Sequence, residues 1–390
     1  MKDFYFTNQT KILFGTGKIT SLIDELPNYG GPILLVYGEN SIKKNGAYQV
    51  IVNSIKELGF DFSELSGVPS NPTLNIVREG INLAKKNKIQ TVISVGGGSA
   101  IDAAKAIAAG SLVDHDVWDF FNSDKRPKVA LPIIAVPTVA ASGSEINGGT
   151  VITNQDTKEK IGIGSPCLNP KVAILDPYLT LSLPMDYTIY GIVDMFSHVF
   201  EPYFNGEVIS LEIQDNLAEA LMLSIINISK QFLVDPQNVE NRADLLWAST
   251  LSFYPLLFVG RGKITFEVHI IAHAIGGLYN IPHGAAIAVI IPAWVKLKGK
   301  KDEMFLKKAA RFSQKCFKNE NINDTSDGND IFELITRWFS QLGLPTSLKV
   351  FDVDKSECDS ILLNIDRSQK GLLKNRLSDN DLEIIVRNLF

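Results

Sequence analysis

Five consecutive apolar residues, Ile33-Leu34-Leu35-Val36-Tyr37, stop at Gly38, and over residues 47–58 the apolar positions Val50, Ile51, Ile55 and Leu58 fall on one face of a helix. A strand without polar alternation is buried on both faces, which requires a sheet covered by helices on each side. The beat then repeats. Leu74 to Lys86 reads as a helix, Ile89 to Val95 as a buried strand and Ala100 to Ala109 as a small-residue helix. Leu131 to Val136, Val151-Ile152-Thr153 and Val172-Ala173-Ile174-Leu175 add strands, so a doubly wound parallel sheet is expected over roughly residues 15–180. Ahead of it, Phe4-Tyr5-Phe6 and Lys11-Ile12-Leu13-Phe14 read as a short hairpin around Asn8-Gln9-Thr10.

The character changes at Asp176-Pro177 and Leu183-Pro184. Beyond them the pattern holds only helical periods, near 186–203, 209–233, 241–257, 265–278, 303–316, 330–342 and 379–388. The 390 residues therefore divide into an α/β domain over 1–180 and an all-helical domain over 181–390. The polar run from Lys318 to Asp330 reads as a solvated loop.

Lys and Arg number 38 against 43 Asp and Glu, a net charge of −5 that leaves no basic surplus for nucleic acid or anionic lipid. Cys167, Cys316 and Cys358 are odd in number and far apart, which fits a reducing cytoplasm rather than a disulfide framework. The start, Met1-Lys2-Asp3-Phe4, lacks the pattern of a secretion signal, and apolar stretches such as Val289–Val295 fall short of the roughly 20 residues of a membrane span. A soluble chain with small-molecule chemistry is expected.

Gly96-Gly97-Gly98-Ser99 follows a strand and opens a helix that contains Asp102 and Lys105. Glycines there let backbone amides approach a phosphate, and the helix N-terminus adds unsatisfied N–H groups. The spacing is not the G-x-G-x-x-G fingerprint, and a tight strand-to-helix turn would look the same. After the strand 33–37, Gly38 stands where many NAD sites place an acid for the ribose 2′-hydroxyl. With Ser41, Lys43 and Lys44 close by, that position suits a 2′-phosphate and hence NADP, while Glu39 is an acid that favours NAD. A third loop, Pro137-Thr138 through Ser142-Gly143-Ser144-Glu145, offers hydroxyls to a pyrophosphate or a nicotinamide amide.

The chain has 5 histidines, and four of them, His198, His269, His273 and His283, lie between positions 198 and 283. Asp194 and His198 are i and i+4, as are His269 and His273, so helices would project each pair from one face. One carboxylate and three imidazoles make an oxygen/nitrogen site suited to Fe(II) or Zn(II). Asp194, His198, His269 and His283 are assigned to the metal, leaving His273 as a neighbour able to carry a proton. His115, between Asp114 and Asp116, reads as surface.

Taken together, Gly96-Gly97-Gly98-Ser99-x-x-Asp102-x-x-Lys105, Pro137-Thr138 with Gly143-Ser144-Glu145, Leu175-Asp176-Pro177, Asp194-x-x-x-His198, His269-x-x-x-His273 and His283-Gly284 resemble the iron-containing (group III) alcohol dehydrogenases. Tyr37-Gly38 with Ser41-Ile42-Lys43-Lys44 is most similar to the NADP-using butanol dehydrogenase and aldehyde reductase branch. The match runs from about Phe4 to Pro292, and the C-terminal hundred residues share only helical character.

The resemblance implies an N-terminal Rossmann-like domain with a doubly wound parallel sheet, a C-terminal helical metal-binding domain of the dehydroquinate synthase-like kind, and a cleft between them. It implies Asp194, His198, His269 and His283 as ligands of Fe(II) or Zn(II), with His273 beside the substrate. It places Gly97, Gly98, Ser99, Thr138 and Ser142 on the cofactor, with Asp102, Asn147, Lys160 and Leu179 nearby. The implied reaction is reversible hydride transfer between NADP(H) and a small primary alcohol or aldehyde such as butanol or butanal, in a homodimer. Tyr254-Pro255, Phe266 and Ala272 depart from the residues usual in the family and bear on substrate identity.

Two other functions would use the same residues. A non-redox lyase of the dehydroquinate synthase type needs several basic residues beside the metal for an anionic substrate, and near His269 the sequence offers Arg261 and Lys263. A catalytically silent nucleotide-binding protein with a structural metal has no use for His273.

Overall fold

The computed structural model describes residues 1–390 except 40, 209, 318–328 and 374–375, so most of the polar run from Lys318 lies outside the described residues. Its contacts separate two units, one of Thr7–Thr188 with Asp235–Tyr254, the other of Met1–Phe6, Ile189–Val234 and Pro255–Phe390. The division is discontinuous, where the sequence pattern draws a single boundary at residue 180. The helix Val239–Ser252 joins the α/β unit because its residues are tied there. Buried Arg242 donates to the Thr180 carbonyl at 3.0 Å and the Thr188 hydroxyl at 2.8 Å. Thr250 donates to Glu145 at 2.6 Å, and Trp247 meets Phe14 edge to face.

The α/β unit contains one six-stranded parallel sheet in the order β1-β8-β5-β4-β2-β3. The strands are β1 (Lys11–Phe14), β2 (Ile33–Tyr37), β3 (Phe62–Leu65), β4 (Thr91–Gly96), β5 (Ile133–Pro137) and β8 (Val172–Leu175). The apolar run in β2 explains the layers. Ile33, Leu35 and Tyr37 point into a core with Leu22, Ile51 and Ile55, while Leu34 and Val36 point into another with Val77, Ala104 and Ile107. The helix after β2, Ala47–Glu57, thus covers one face, and the helix after β4, Gly98–Gly110, covers the other. Because β2 and β4 are neighbours, their carboxyl ends form a topological switch point, where open α/β sheets bind ligands.

The hairpin expected over residues 4–14 does not form. Lys11–Phe14 pairs in parallel with Val172–Leu175, and Met1–Phe6 belongs to the other unit, where the Lys2 amide donates to the Gly260 carbonyl at 2.9 Å. Val151–Thr153 is a strand, but outside the main sheet. It lies in β6 (Gly149–Asn154), antiparallel to β7 (Glu159–Gly164). β3 and β7 escape a hydrophobicity reading because β3 buries only Leu65 and β7 carries glycines at Gly162 and Gly164.

The helical unit is built from Met185–Asn205 (from Ile189 on), Glu212–Val234, Glu267–Tyr279, His283–Lys301, Glu303–Phe317, Asn329–Gln341, Cys358–Leu373 and Asp379–Arg387. Its centre is aromatic: Phe196, Phe200, Phe312, Trp294 and Trp338 lie in stacked or edge-to-face contact. His283–Lys301 contains Pro292 and is buried almost all round, so it shows neither an uninterrupted helical sequence nor an amphipathic period. Glu212–Val234 is the one helix among the described residues long and apolar enough to cross a membrane. It spends Asp215 on Arg261 and Lys308 and Glu219 on Arg311, as a core helix does.

Candidate active site

The nucleotide-side candidates gather at the carboxyl ends of the parallel strands. Gly38 follows β2, Gly97 follows β4 and Thr138 follows β5, with the Thr138 amide donating to the Gly96 carbonyl at 2.9 Å. Gly96 has φ +152, and a Cβ there would come within 2.9 Å of Ala100, so only glycine makes this turn into the helix cheaply. A Cβ on Gly98 would lie 2.3 Å from the Ser142 hydroxyl, so that glycine lets the loop after β5 rest on the helix N-terminus. Gly97 at the N-cap brings no side chain, and the first-turn amides stay without a side-chain cap.

Asp102 and Asn147 are engaged in bracing this loop. Asp102 accepts from the Ser144 hydroxyl at 2.6 Å and the Val151 amide at 3.0 Å. Buried Lys105 donates to Ser144 at 2.8 Å and to the Gly149 carbonyl at 2.7 Å, and Asn147 donates to the Gly143 carbonyl at 2.7 Å. Burial pulls the Lys105 ammonium down to about 8, against the pull of the Asp102 and Glu145 carboxylates. Asp176 has a comparable structural task, accepting from the Ile19 amide at 3.3 Å and the Tyr178 amide at 3.2 Å.

The loop after β3 is the part that sequence reasoning missed. The Gly67 amide donates to the Gly38 carbonyl at 2.9 Å, Ser99 donates to the Ser70 carbonyl, and Lys160 donates to Asn71 at 2.8 Å. The loop from Gly67 to Asn71, flagged in the sequence by Pro69-Ser70-Asn71-Pro72, thereby links Gly38, Ser99 and Lys160. Behind Gly38, Asn45 donates to the carbonyl of buried Leu179 at 3.1 Å. Ser41 and Glu39 are exposed, and Lys43 sits over the rings of Tyr37 and Tyr48 at 5.9 and 5.1 Å. Both tyrosines donate to Glu64, an acid absent from the sequence-level candidates, at 2.5 and 2.8 Å. Burial and that bond raise the Tyr37 hydroxyl well above its ordinary range.

The second cluster lies wholly within the helical unit. Asp194 and His198 share a face of Met185–Asn205, His269 lies in the first turn of Glu267–Tyr279, and His283 opens His283–Lys301 behind Pro282. Gly284 explains how His283 gets there, because a Cβ on it would lie 2.1 Å from the Tyr190 carbonyl oxygen. The Nε2 atoms of His198, His269 and His283 stand 3.6, 3.7 and 3.7 Å from a single atom, Asp194 Oδ1. These separations exceed hydrogen bonds, yet they match the roughly 3.4 Å between donors that surround one ion at about 2.1 Å. His269 Nε2 is buried and makes no hydrogen bond. Asp194, His198 and His269 offer donor atoms that all lie within 4.8 Å of one another, a set that fits a divalent metal ion, and His283 joins them through its 3.7 Å approach to Asp194 Oδ1.

Burial, with His269 beside it, pulls His198 down to about 4 despite Asp194, so the ring is a neutral donor. For His269 burial acts downward, but the carboxylates of Glu201 and Asp194 outweigh it and hold the ring up to about 9. Glu201 is fully buried and bonds His269 Nδ1; no sequence motif singled it out. The ring centre of His273 lies 6.5 Å from that of His269 and 5.3 Å from that of His283, the latter equal to the spacing between His269 and His283. His115 lies in the other unit beside Asp116 and Asp119.

A Rossmann-like sheet with glycine-lined strand ends in one unit, and a carboxylate with three imidazoles in a helical other, define a nucleotide-binding metalloprotein. Comparison with known proteins narrows this. Residues 9–177 match the family model for iron-containing alcohol dehydrogenase, and residues 188–376 match the model for the C-terminal part of the Fe-containing alcohol dehydrogenase family. A probable NADH-dependent butanol dehydrogenase 1 of Bacillus subtilis is 38% identical over 93% of this chain and 92% of its own. The NADPH-dependent aldehyde reductase YqhD of Escherichia coli is 31% identical over 94% and 93%. The crystal structure of NADH-dependent butanol dehydrogenase A from Thermotoga maritima matches with a TM-score of 0.94 and 38% identity over 100% of this chain and 99% of that one. The chain belongs to the iron-containing alcohol dehydrogenase family.

Proposed function

We propose that the protein catalyses reversible hydride transfer between NAD(P)(H) and a small primary alcohol or aldehyde of the butanol and butanal kind, with Asp194, His198, His269 and His283 as the ligands of an Fe(II) or Zn(II) ion. The observation that carries this reading is the convergence of three imidazole Nε2 atoms on Asp194 Oδ1 at 3.6–3.7 Å. When bound, the metal supplies a Lewis acid for the alcohol or aldehyde oxygen and the nicotinamide supplies or accepts the hydride.

The chain's own residues do the rest. Gly97 and Gly98 expose first-turn amides for the pyrophosphate, with Ser99, Thr138 and Ser142 as hydroxyl partners. Asp102 and Asn147 hold the Ser142–Ser144 loop in place through Ser144 and Gly143. His273, one ring beyond His283, carries on an imidazole nitrogen the proton exchanged with the substrate oxygen. The Phe266 ring, edge-on to His269 with centres 5.3 Å apart, gives an apolar surface for an alkyl chain. Against the lyase alternative, Arg261 is buried and paired with Asp215 at 2.8 Å, leaving it no role in gripping a phosphorylated substrate.

Gly38 with Ser41, Lys43 and Lys44 supports NADP(H). A second reading, NAD(H), is favoured by the placement of Lys43 over Tyr37 and Tyr48, by exposed Glu39, and by the NADH-dependent names of the Bacillus and Thermotoga relatives. The test is an aldehyde panel with each reduced nucleotide after anaerobic purification and metal analysis. Aldehyde-dependent oxidation that disappears on chelation and returns with Fe(II) or Zn(II) supports the proposal, and full turnover in metal-free protein refutes it. The higher kcat/KM decides between the nucleotides. We carry a cytoplasmic homodimer as part of the proposal, with the mass in solution as its check; the free state of Cys167, Cys316 and Cys358 accords with a reducing compartment.

A further inference from the structure

We infer that Glu201 is a positioning residue that sets both the orientation of His269 and which of its ring nitrogens faces the metal centre. The inference rests on the metal reading above. Glu201 lies one turn beyond His198 and two beyond Asp194 on Met185–Asn205, so the three side chains share a helix face. Its side chain is completely buried.

One carboxylate holds two groups of the neighbouring helix. Oε2 accepts the Val268 amide at 2.6 Å, and Oε1 accepts the Nδ1 proton of His269. Glu267–Tyr279 needs this, because Phe266 at its N-cap has no side chain able to accept a first-turn amide. Glu201 supplies the missing cap from another helix, where a negative charge is favoured by the helix dipole. The same contact decides the tautomer. In the neutral ring, with Nδ1–H given to Glu201, the free lone pair lies on Nε2, the atom 3.7 Å from Asp194 Oδ1 that makes no hydrogen bond.

Nearby Glu267 cannot take over. Its oxygens accept from Trp294 Nε1 at 2.7 Å and from Lys298 at 3.2 Å. An apolar residue could fill the space of Glu201 without burying a carboxylate. What the carboxylate adds is direction, joining the entry of one helix to the aim of one ligand.

The experiment uses metal-free full-length protein, Zn(II) competition against a chromophoric chelator, and nitrogen NMR of labelled histidine side chains, with His269→Ala to assign the His269 signals. Glu201→Gln keeps the shape but can accept only one of the two N–H groups, and Glu201→Ala accepts neither. Zn(II) affinity is expected to fall about 10–100-fold in both, more in the alanine variant, with the neutral form of His269 passing from Nδ1–H to a tautomer mixture. Affinities within about threefold of wild type, while Asp194→Ala no longer binds, would overturn the role of Glu201 and leave the metal reading intact. A neutral wild-type His269 that carries its one ring proton on Nε2 in place of Nδ1 would overturn it without any variant. Asp194→Ala binding Zn(II) like wild type would instead remove the metal reading, and this inference with it.

Discussion

The two candidate sites are built on opposite principles. In the α/β unit the candidate ligand surface is mostly backbone: glycines at strand ends, a helix N-terminus and loops, with Asp102, Lys105 and Asn147 spent on holding those loops. In the helical unit it is side chains, three imidazole nitrogens on three helices that each lie 3.6–3.7 Å from one Asp194 oxygen. A backbone site tolerates side-chain change but not added bulk. A side-chain site tolerates little change in its donors and depends on what orients them.

That contrast can be broken at several points. The largest effect is expected from His269→Ala, which should abolish metal retention and lower kcat/KM for the aldehyde at least about 1,000-fold, read by metal analysis and steady-state kinetics. Retained metal would show that the helical unit is as tolerant as the other. His273→Ala should keep the metal and lose about 100-fold in kcat, because it removes a proton carrier and no ligand. Loss of metal from this variant would move His273 into the ligand group.

Lys105 tests the bracing network through pH. Its folded value of about 8 lies below the ordinary 10.5, so above about pH 8 the unfolded chain holds the proton that the folded one has released. Its contribution to stability therefore rises with pH over that window. Denaturant melts should show the stability of wild type relative to Lys105→Met rising by about 1.5 kcal/mol from about pH 8 to about pH 9.5. A flat difference would mean that the buried lysine keeps its charge at no cost. The smallest effect is expected from Gly98→Ala, whose Cβ would press on Ser142. The nucleotide KM should rise about tenfold with metal content unchanged, a split that a side-chain site would not show.

The same contrast explains what could be read in advance. Asp194, His198, His269 and His283 stand out because rare donor types recur at helical spacing in apolar segments, and each of the three Nε2 atoms lies 3.6–3.7 Å from Asp194 Oδ1. Glu201 was equally visible as an acid in an apolar helix, three residues after His198, but an isolated acid has no spacing signal until its partner on another helix is known. The helix carrying His283 hid behind Pro292 and its all-round burial. In the α/β unit the doubly wound sheet followed from β2, whose continuous apolar run can only be interior, and from the mainly apolar β4, buried along its whole length. Edge elements were lost or misassigned: β3 as a strand with a single buried residue, and β1 as half of a hairpin whose other half never pairs. Ser70, Asn71 and Glu64 act through contacts made by distant segments, which no local pattern reveals.

The most direct test of the central claim is anomalous diffraction at the metal edge from crystals of the reconstituted protein. The account predicts one strong peak per chain, about 2.0–2.3 Å from Asp194 Oδ1 and from the Nε2 atoms of His198, His269 and His283. A peak elsewhere, or one bonded to His273 in place of His283, would contradict it.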